Sequence, residues 1–315
     1  MDALTPYYDY LLTNGVLKMK KLINTTLGVL VFFGFAWLCL VMYGQTKKFE
    51  PKENSFFTSE FEVIAHRGGA IEAPENTLFA YEQAVGISPK VILELDVHYT
   101  SDKQIVIFHD RTLDRTTNGT GEIKNHTLED LRKLDAAYHF KDQNGEYSLR
   151  GRGIQIPTIT ELFDKYPDTR MIIEIKPNSQ DLTKEVYELV KKYNRLDKTI
   201  LGSEHSKLMH YLRALDKDAL TTAGQDEVLR TLMLLNLNLA AFDSMKADAY
   251  CIPEKHSGIQ VLSSKLLEQI NKRGKKAYIW TINETEEMER LLKENVHGII
   301  TDRPKALTSL LLPLQ

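Results

Sequence analysis

The chain has 315 residues, of which 43% are hydrophobic and 26% charged, and its formal net charge is −3. That balance fits a folded protein and excludes a disordered one, and the lack of a basic stripe argues against nucleic acid as a partner. Two distant cysteines, Cys39 and Cys251, exclude a disulfide framework and any Cys–His zinc spacing.

Residues 1–22 read as an N-terminal extension. Residues 27–44 carry no charge, and with 23–26 they reach the ~20 residues that cross a bilayer. A cleaved signal peptide needs small residues before the cut, and Val41-Met42-Tyr43-Gly44-Gln45 offers a poor match. A core helix would not be apolar on every side at the edge of a domain. The expectation is a single-pass anchor over 23–44. Lys18, Lys20 and Lys21 before it balance Lys47, Lys48 and Lys52 after it, so the side of the membrane stays open. Residues 45–60 are polar, contain Pro51 and read as a linker.

From residue 61 short apolar runs alternate with helical patterns. Strands are expected over 61–65, 91–97, 105–108, 171–175, 199–202, 220–223, 239–242, 250–252, 276–282 and 298–301. Helices are expected over 76–85, 127–134, 158–165, 181–193, 264–273 and 284–294. Such alternation predicts a parallel sheet. Its strand number suits a TIM (β/α)₈ barrel over 61–312, with a doubly wound open sheet as the alternative. No G-x-G-x-x-G follows the first strand and no P-loop exists, which disfavours the nucleotide-binding open sheets. Residues 115–155 are polar and rich in Gly and Asn. They read as an insertion that overhangs the carboxyl ends of the strands.

The chemistry-bearing residues fall where apolar runs stop. Glu94 and Asp96 are two apart on a strand, so both point the same way, and such a pair calls for a cation, unless Arg or backbone amides bind it instead. Glu174, after Met171-Ile172-Ile173, is the expected third carboxylate. All-oxygen ligation suits Mg²⁺ or Ca²⁺ better than zinc. His98 shares the face of Asp96 and reads as a rim residue rather than a ligand. His66 and His109 close two different runs and suit an acid/base pair. Arg67 could grip a phosphate bidentately, and Lys176 adds a second positive charge, unless it is a solvated strand-end lysine. Gly68 and Gly69 could let backbone amides approach an anion. Trp280 reads equally as an aromatic pocket wall or as core packing.

The ordered motifs His66-Arg67-Gly68, Pro74-Glu75-Asn76-Thr77, Glu94-Leu95-Asp96-Val97, His109-Asp110, Glu174-Ile175-Lys176-Pro177 and Thr301-Asp302-Arg303-Pro304 resemble the glycerophosphodiester phosphodiesterase family. The resemblance covers roughly residues 63–307. It implies a TIM barrel with one divalent cation held by Glu94, Asp96 and Glu174. It makes His66 and His109 the acid and base, in an order the sequence leaves open, and sets Arg67 and Lys176 on phosphate. Glu75 belongs to a family motif, and the expectation for it is a supporting place near the metal.

The implied activity is hydrolysis of glycerophosphodiesters to sn-glycerol 3-phosphate and an alcohol. A lysophospholipase D acting on lysophospholipids is the alternative, favoured if residues 115–155 form an apolar groove. A binding protein without turnover is the third reading, opposed by the complete set of ionisable residues. The head group, the ion and the oligomeric state are not legible in the sequence.

Overall fold

The computed structural model describes residues 5–49, 54–58 and 60–312, with side chains from Asn14 onward. Residues 1–4 of the extension, and Pro51 and Lys52 of the expected linker, lie outside the described residues. The chain divides into two compact units: residues 1–48 with 234–243, and residues 49–233 with 244–315.

The first unit contains helix α1 (Thr5–Thr46). Within it, residues 14–46 are long and apolar enough to cross a membrane, with a mean hydropathy of 2.2 and no burial of the apolar window.

The second unit is the barrel. In chain order it has β1 (Glu62–Ala65), α2 (Leu78–Ile87), β2 (Ile92–Tyr99), β3 (Ile105–Ile107), α3 (Leu128–Leu131), α4 (Ile159–Lys165) and β4 (Met171–Ile175). Next come α5 (Gln180–Lys192), β5 (Thr199–Gly202), α6 (Ser206–Leu215), α7 (Gln225–Asn236, whose residues 234–236 belong to the first unit), β6 (Ala249–Pro253), and a small hairpin of β7 (Lys255–His256) and β8 (Ile259–Gln260). The chain ends with α8 (Ser264–Lys272), β9 (Lys276–Trp280), α9 (Thr285–Leu291), β10 (Gly298–Thr301) and α10 (Pro304–Leu311).

The parallel strands run β5-β4-β2-β1-β10-β9-β6. Thr221 bridges Leu201 of β5, and Thr222 bridges Ala249 of β6, so residues 220–222 complete the ring as its eighth member. The interior gives the same count. Ile64, Ile92, Ile172, Ile200, Leu220, Ala249, Tyr278 and Ile300, one from each member, form a single buried cluster closed by Phe56. Side chains alternate across a strand, so the residue two places on also faces inward. That step leads from Ile64 to His66, Ile92 to Glu94, Ile172 to Glu174, Tyr278 to Trp280 and Ile300 to Asp302. The apolar layer is therefore the floor of a site at the carboxyl ends of the strands.

Several expectations shift. The run over 105–108 forms β3, which pairs antiparallel with β2 and is not a member of the parallel ring. Residues 239–242 hold a 3₁₀ turn, Ala240–Phe242, instead of a strand. Helices α6, α7 and α10 have no counterpart among the expected elements; in α7 Val228, Leu232 and Leu235 recur at helical spacing, but Leu229, Met233 and Leu234 blur the contrast between its faces. The helix expected over 127–134 shortens to α3, with Thr127 and Asp130 forming a capping box.

Candidate active site

Strand register builds the acidic centre. β2 and β4 pair with Asp96 beside Glu174 and Glu94 beside Ile172. Glu94, Asp96 and Glu174 each present an oxygen within 4.8 Å of the others, an arrangement that could hold a metal ion. Glu94 and Asp96 are buried. Burial and the neighbouring Asp96 charge push the Glu94 carboxyl up to about 7. Burial also raises Glu174, with Asp96 adding to it against Lys176. Asp96 stays low despite burial, because Lys176, His109 and Arg67 surround it with positive charge. Three crowded carboxylates in a hard-oxygen set fit a divalent cation.

Lys176 Nζ lies 3.1 Å from Asp96 Oδ1 and 3.2 Å from Glu174 Oε2. Arg67 adopts a left-handed backbone (φ 54°), and its amide donates to Glu94 Oε2 at 2.9 Å. Its side chain turns to Glu75 Oε1 at 3.1 Å and towards Asp96 Oδ2 at 3.5 Å. Both candidate phosphate cations thus face the carboxylate cluster. The adjacent glycines serve packing. A Cβ on Gly68 would lie 2.7 Å from that of Ala80, and one on Gly69 would lie 2.9 Å from the Pro304 ring. The Gly69 amide donates to the His66 carbonyl at 2.8 Å, so the anion-approach reading of this glycine is corrected.

The two imidazoles are held alike. His66 Nδ1 contacts Asp302 Oδ1 at 2.6 Å, and His109 Nδ1 contacts Asp110 Oδ1 at 2.7 Å. In each case the carboxylate claims Nδ1 and leaves Nε2 for a substrate. Burial pulls His66 down, but the Asp302 hydrogen bond and the Glu94 charge outweigh it and raise its pKa. Asp302 is fixed in turn by Asn283 Nδ2 at 2.8 Å. The route to His109 differs from the expected one. Antiparallel β3 carries the chain back beside β2, and the Phe108 amide donates to Asp96 O at 2.9 Å. His98 Nε2 then donates to the His109 carbonyl at 3.1 Å. His98 is thus a brace for the returning chain.

Glu75 sits between two arginines. It accepts from Arg67 and also from Arg115, whose guanidinium reaches Asp110 as well. Asp110 is drawn down to about 2: burial opposes this, but hydrogen bonds from Arg115 and His109 prevail. Asn76 Nδ2 donates to Asp96 Oδ2 at 2.9 Å, while its Oδ1 accepts from Tyr81 at 2.8 Å. Sequence reasoning assigned no role to Asp110, Asp302, Asn76, Arg115 or Asn283. The first three lie within the quoted motifs: Asp110 stands beside His109 and Asn76 beside Glu75, which was the available signal, while Asp302 had only its motif. Nothing in the sequence pointed to Arg115 or Asn283.

A cavity of about 420 Å³ opens above this floor, lined by His66, Glu94, His109, Glu174, Lys176 and Trp280 among others. Trp280 is 40% exposed and stands as a wall of the cavity. Further out the wall turns apolar, with Val228, Leu229 and Leu232 of α7, Ile259 of β8, and Val261.

The model of the family described as glycerophosphoryl diester phosphodiesterase matches residues 66–306. The chain is 34% identical over 256 residues to the glycerophosphodiester phosphodiesterase of Caldanaerobacter subterraneus subsp. tengcongensis, covering 79% of this chain and 96% of that one. It is 32% identical over 273 residues to the Homo sapiens protein named lysophospholipase D GDPD1, covering 79% and 85%. Among solved structures, an Oleispira antarctica phosphodiesterase in complex with the product sn-glycerol-3-phosphate shares the fold, with a TM-score of 0.61, 23% identity and 79% and 95% coverage. A family match over most of the barrel, joined to these curated relatives, decides the assignment: the chain belongs to the glycerophosphoryl diester phosphodiesterase family.

Proposed function

We propose that this protein is a membrane-anchored hydrolase that cleaves glycerophosphodiesters to sn-glycerol 3-phosphate and an alcohol, using one divalent cation, Mg²⁺ or Ca²⁺. The observation that carries the reading is the pair of imidazoles, each tied at Nδ1 to an aspartate, beside three converging carboxylates. Glu94, Asp96 and Glu174 would hold the ion, which when bound supplies Lewis-acid charge to the phosphate.

The protein's own groups account for the proton transfers. Nε2 of one histidine takes the proton from the glycerol 2-hydroxyl as that oxygen attacks phosphorus. Nε2 of the other gives a proton to the departing alkoxide. A cyclic phosphate results, and water opens it with the histidines in exchanged roles. Holding the nucleophile on the same molecule as the phosphorus can lower the barrier by ~7–11 kcal/mol, which favours this route over direct attack by water. Arg67 and Lys176 supply the positive charge for the phosphate oxygens.

A second reading has a specific observation behind it. Residues 115–155 are polar, but the cavity has an apolar wall elsewhere, from α7 and β8. Such a wall suits the acyl chain of a lysophospholipid, and a relative of similar length is named lysophospholipase D. A substrate panel from glycerophosphocholine to lysophosphatidylcholine, with and without chelator, tests both readings. Release of glycerol 3-phosphate supports the first, and release of lysophosphatidic acid supports the second. No release of either, with binding retained, would leave a phosphodiester-binding protein.

A further inference from the structure

Beside the catalytic cavity, whose wall it joins through Leu232, the chain carries a second charge-free stretch. Residues 231–242 read Thr-Leu-Met-Leu-Leu-Asn-Leu-Asn-Leu-Ala-Ala-Phe. A run of this composition is normally buried in a water-soluble barrel. Here Met233 is 57% exposed, Leu237 47% and Phe242 37%. Leu229, one turn before Met233 on the same helix face, is 50% exposed. The segment is too short to cross a bilayer but long enough to lie in its surface.

The first unit shows what this stretch keeps company with. Trp37 Nε1, inside the charge-free part of α1, donates to the Leu237 carbonyl at 2.9 Å. The Tyr43 ring lies 6.2 Å from the Phe242 ring, and Lys47 Nζ stands 4.3 Å from the Phe242 centroid. A Cβ on Gly44 would lie 3.0 Å from that of Ala241. Contacts therefore run along α1 from Trp37 to Gly44, about 10 Å of helix, and on to Lys47 just past its end. The Leu237 carbonyl, just past the end of α7, is matched with the indole N–H. In lipid, neither group has water to turn to, so each satisfies the other. Trp and Tyr on α1 are the residue types that settle at the headgroup level.

We propose that residues 231–242 are a second membrane contact, a segment lying in the lipid interface alongside the anchor. The proposal rests on α1 crossing a bilayer. It gives the α7–β6 connection a partner of defined chemistry, the headgroup and upper acyl region of a phospholipid leaflet. The chain is then fixed to the membrane at two points remote in sequence.

The test uses the full chain in vesicles of phosphatidylcholine and phosphatidylglycerol. A thiol-reactive fluorophore is placed by Leu237→Cys in a background that carries Cys39→Ser and Cys251→Ser. Cys39 in a Cys251→Ser chain reports on the anchor, and Asn295→Cys in the background without either native cysteine, on an exposed loop of the barrel, reports on water. Lipids spin-labelled near the headgroup and aqueous iodide serve as quenchers. The Leu237 probe is expected to shift to the blue, to be quenched by the labelled lipid and to be shielded from iodide, while the Asn295 probe behaves oppositely. An iodide-accessible Leu237 probe beside a lipid-quenched Cys39 overturns the second contact and leaves the anchor. A Leu237 probe shielded from both quenchers also overturns it, because protein then covers the segment. A Cys39 probe that no lipid quenches removes the anchor and the proposal together.

Discussion

Arg115 grips Glu75 through two parallel hydrogen bonds, Nη1 to Oε2 and Nη2 to Oε1, each 2.7 Å long. The same guanidinium reaches Asp110 Oδ2 through Nε at 2.6 Å and Asp110 Oδ1 through Nη2 at 3.0 Å. One side chain thus ties the orienting partner of His109 to the partner of Arg67. Such bidentate pairs fix geometry as well as charge.

Arg115 is accordingly expected to act as a positioning residue. Arg115→Ala should lower kcat by about 10–100-fold, the usual scale for groups that orient a reacting side chain, with KM changed little. Arg115→Lys cannot reproduce the fork and should recover only part of the loss. Steady-state kinetics with a circular-dichroism check decides it. An unchanged kcat, or a loss that tracks unfolding, would remove the role.

Replacing either His66 or His109 by Ala should reduce kcat by at least ~10²-fold. The two losses should not add, because the imidazoles act as a unit. A substrate with a nitrophenolate leaving group needs little protonation on departure. It should rescue the variant lacking the acid far more than the one lacking the base, and so assign the two roles. Equal rescue of both would refute the division of labour.

Asp96→Asn should abolish turnover and weaken binding of the divalent ion while leaving the fold intact. The buried Asp96 is the carboxylate that Lys176, Arg67 and Asn76 all address. Calorimetric titration with Mg²⁺ and Ca²⁺ measures the binding. Wild-type activity that survives EDTA in full would count against a metal in this role.

Removing residues 1–48 should leave hydrolysis of glycerophosphocholine in place, since every catalytic candidate lies beyond α1. Comparing specific activity of the shortened and full chains on this water-soluble substrate checks it. A shortened chain that cannot fold would make the segment part of the barrel's own stability.

His297 links stability to pH away from the site. Its Nδ1 accepts from the Ala277 amide at 3.1 Å, and its own amide donates to the Ala277 carbonyl at 2.9 Å. Burial, helped by the Lys276 charge, lowers its pKa to about 4. The folded value lies below the unfolded one. The stabilisation is therefore whole above about pH 6.5 and is lost as pH falls towards about 4. Discounted for partial exposure, it is on the order of 2 kcal/mol. His297→Asn keeps an acceptor near the same place and removes the titration. Urea midpoints measured from neutral to acid pH should fall less steeply in the variant. Parallel slopes would show that this histidine contributes nothing to the acid limb.

Much of the barrel was legible because its inward rows obey a period of two, from Ile92 to Glu94 to Asp96 and from Ile172 to Glu174 to Lys176. The three carboxylates could be read from that period alone. The route to His109 could not, because a three-residue antiparallel strand and a parallel one look the same in sequence. The bonds from Arg115 to Glu75 and Asp110 were hidden for another reason. They close across 40 and 5 positions of chain, and nothing local in Arg115-Thr116-Thr117 announces them. Helix α7 was missed because its exposed leucines and methionine blur the contrast between faces on which a helical pattern depends.

The ring of strands has a seam. Six neighbouring pairs are laddered, whereas residues 220–222 hold to β5 and to β6 by one bridge each. The arc of β1, β2 and β4 carries the three carboxylates and leads into His66, and the seam stands across the ring from β1. The irregular member therefore closes the ring opposite β1, held by two backbone hydrogen bonds to β5 and three to residues 248 and 249.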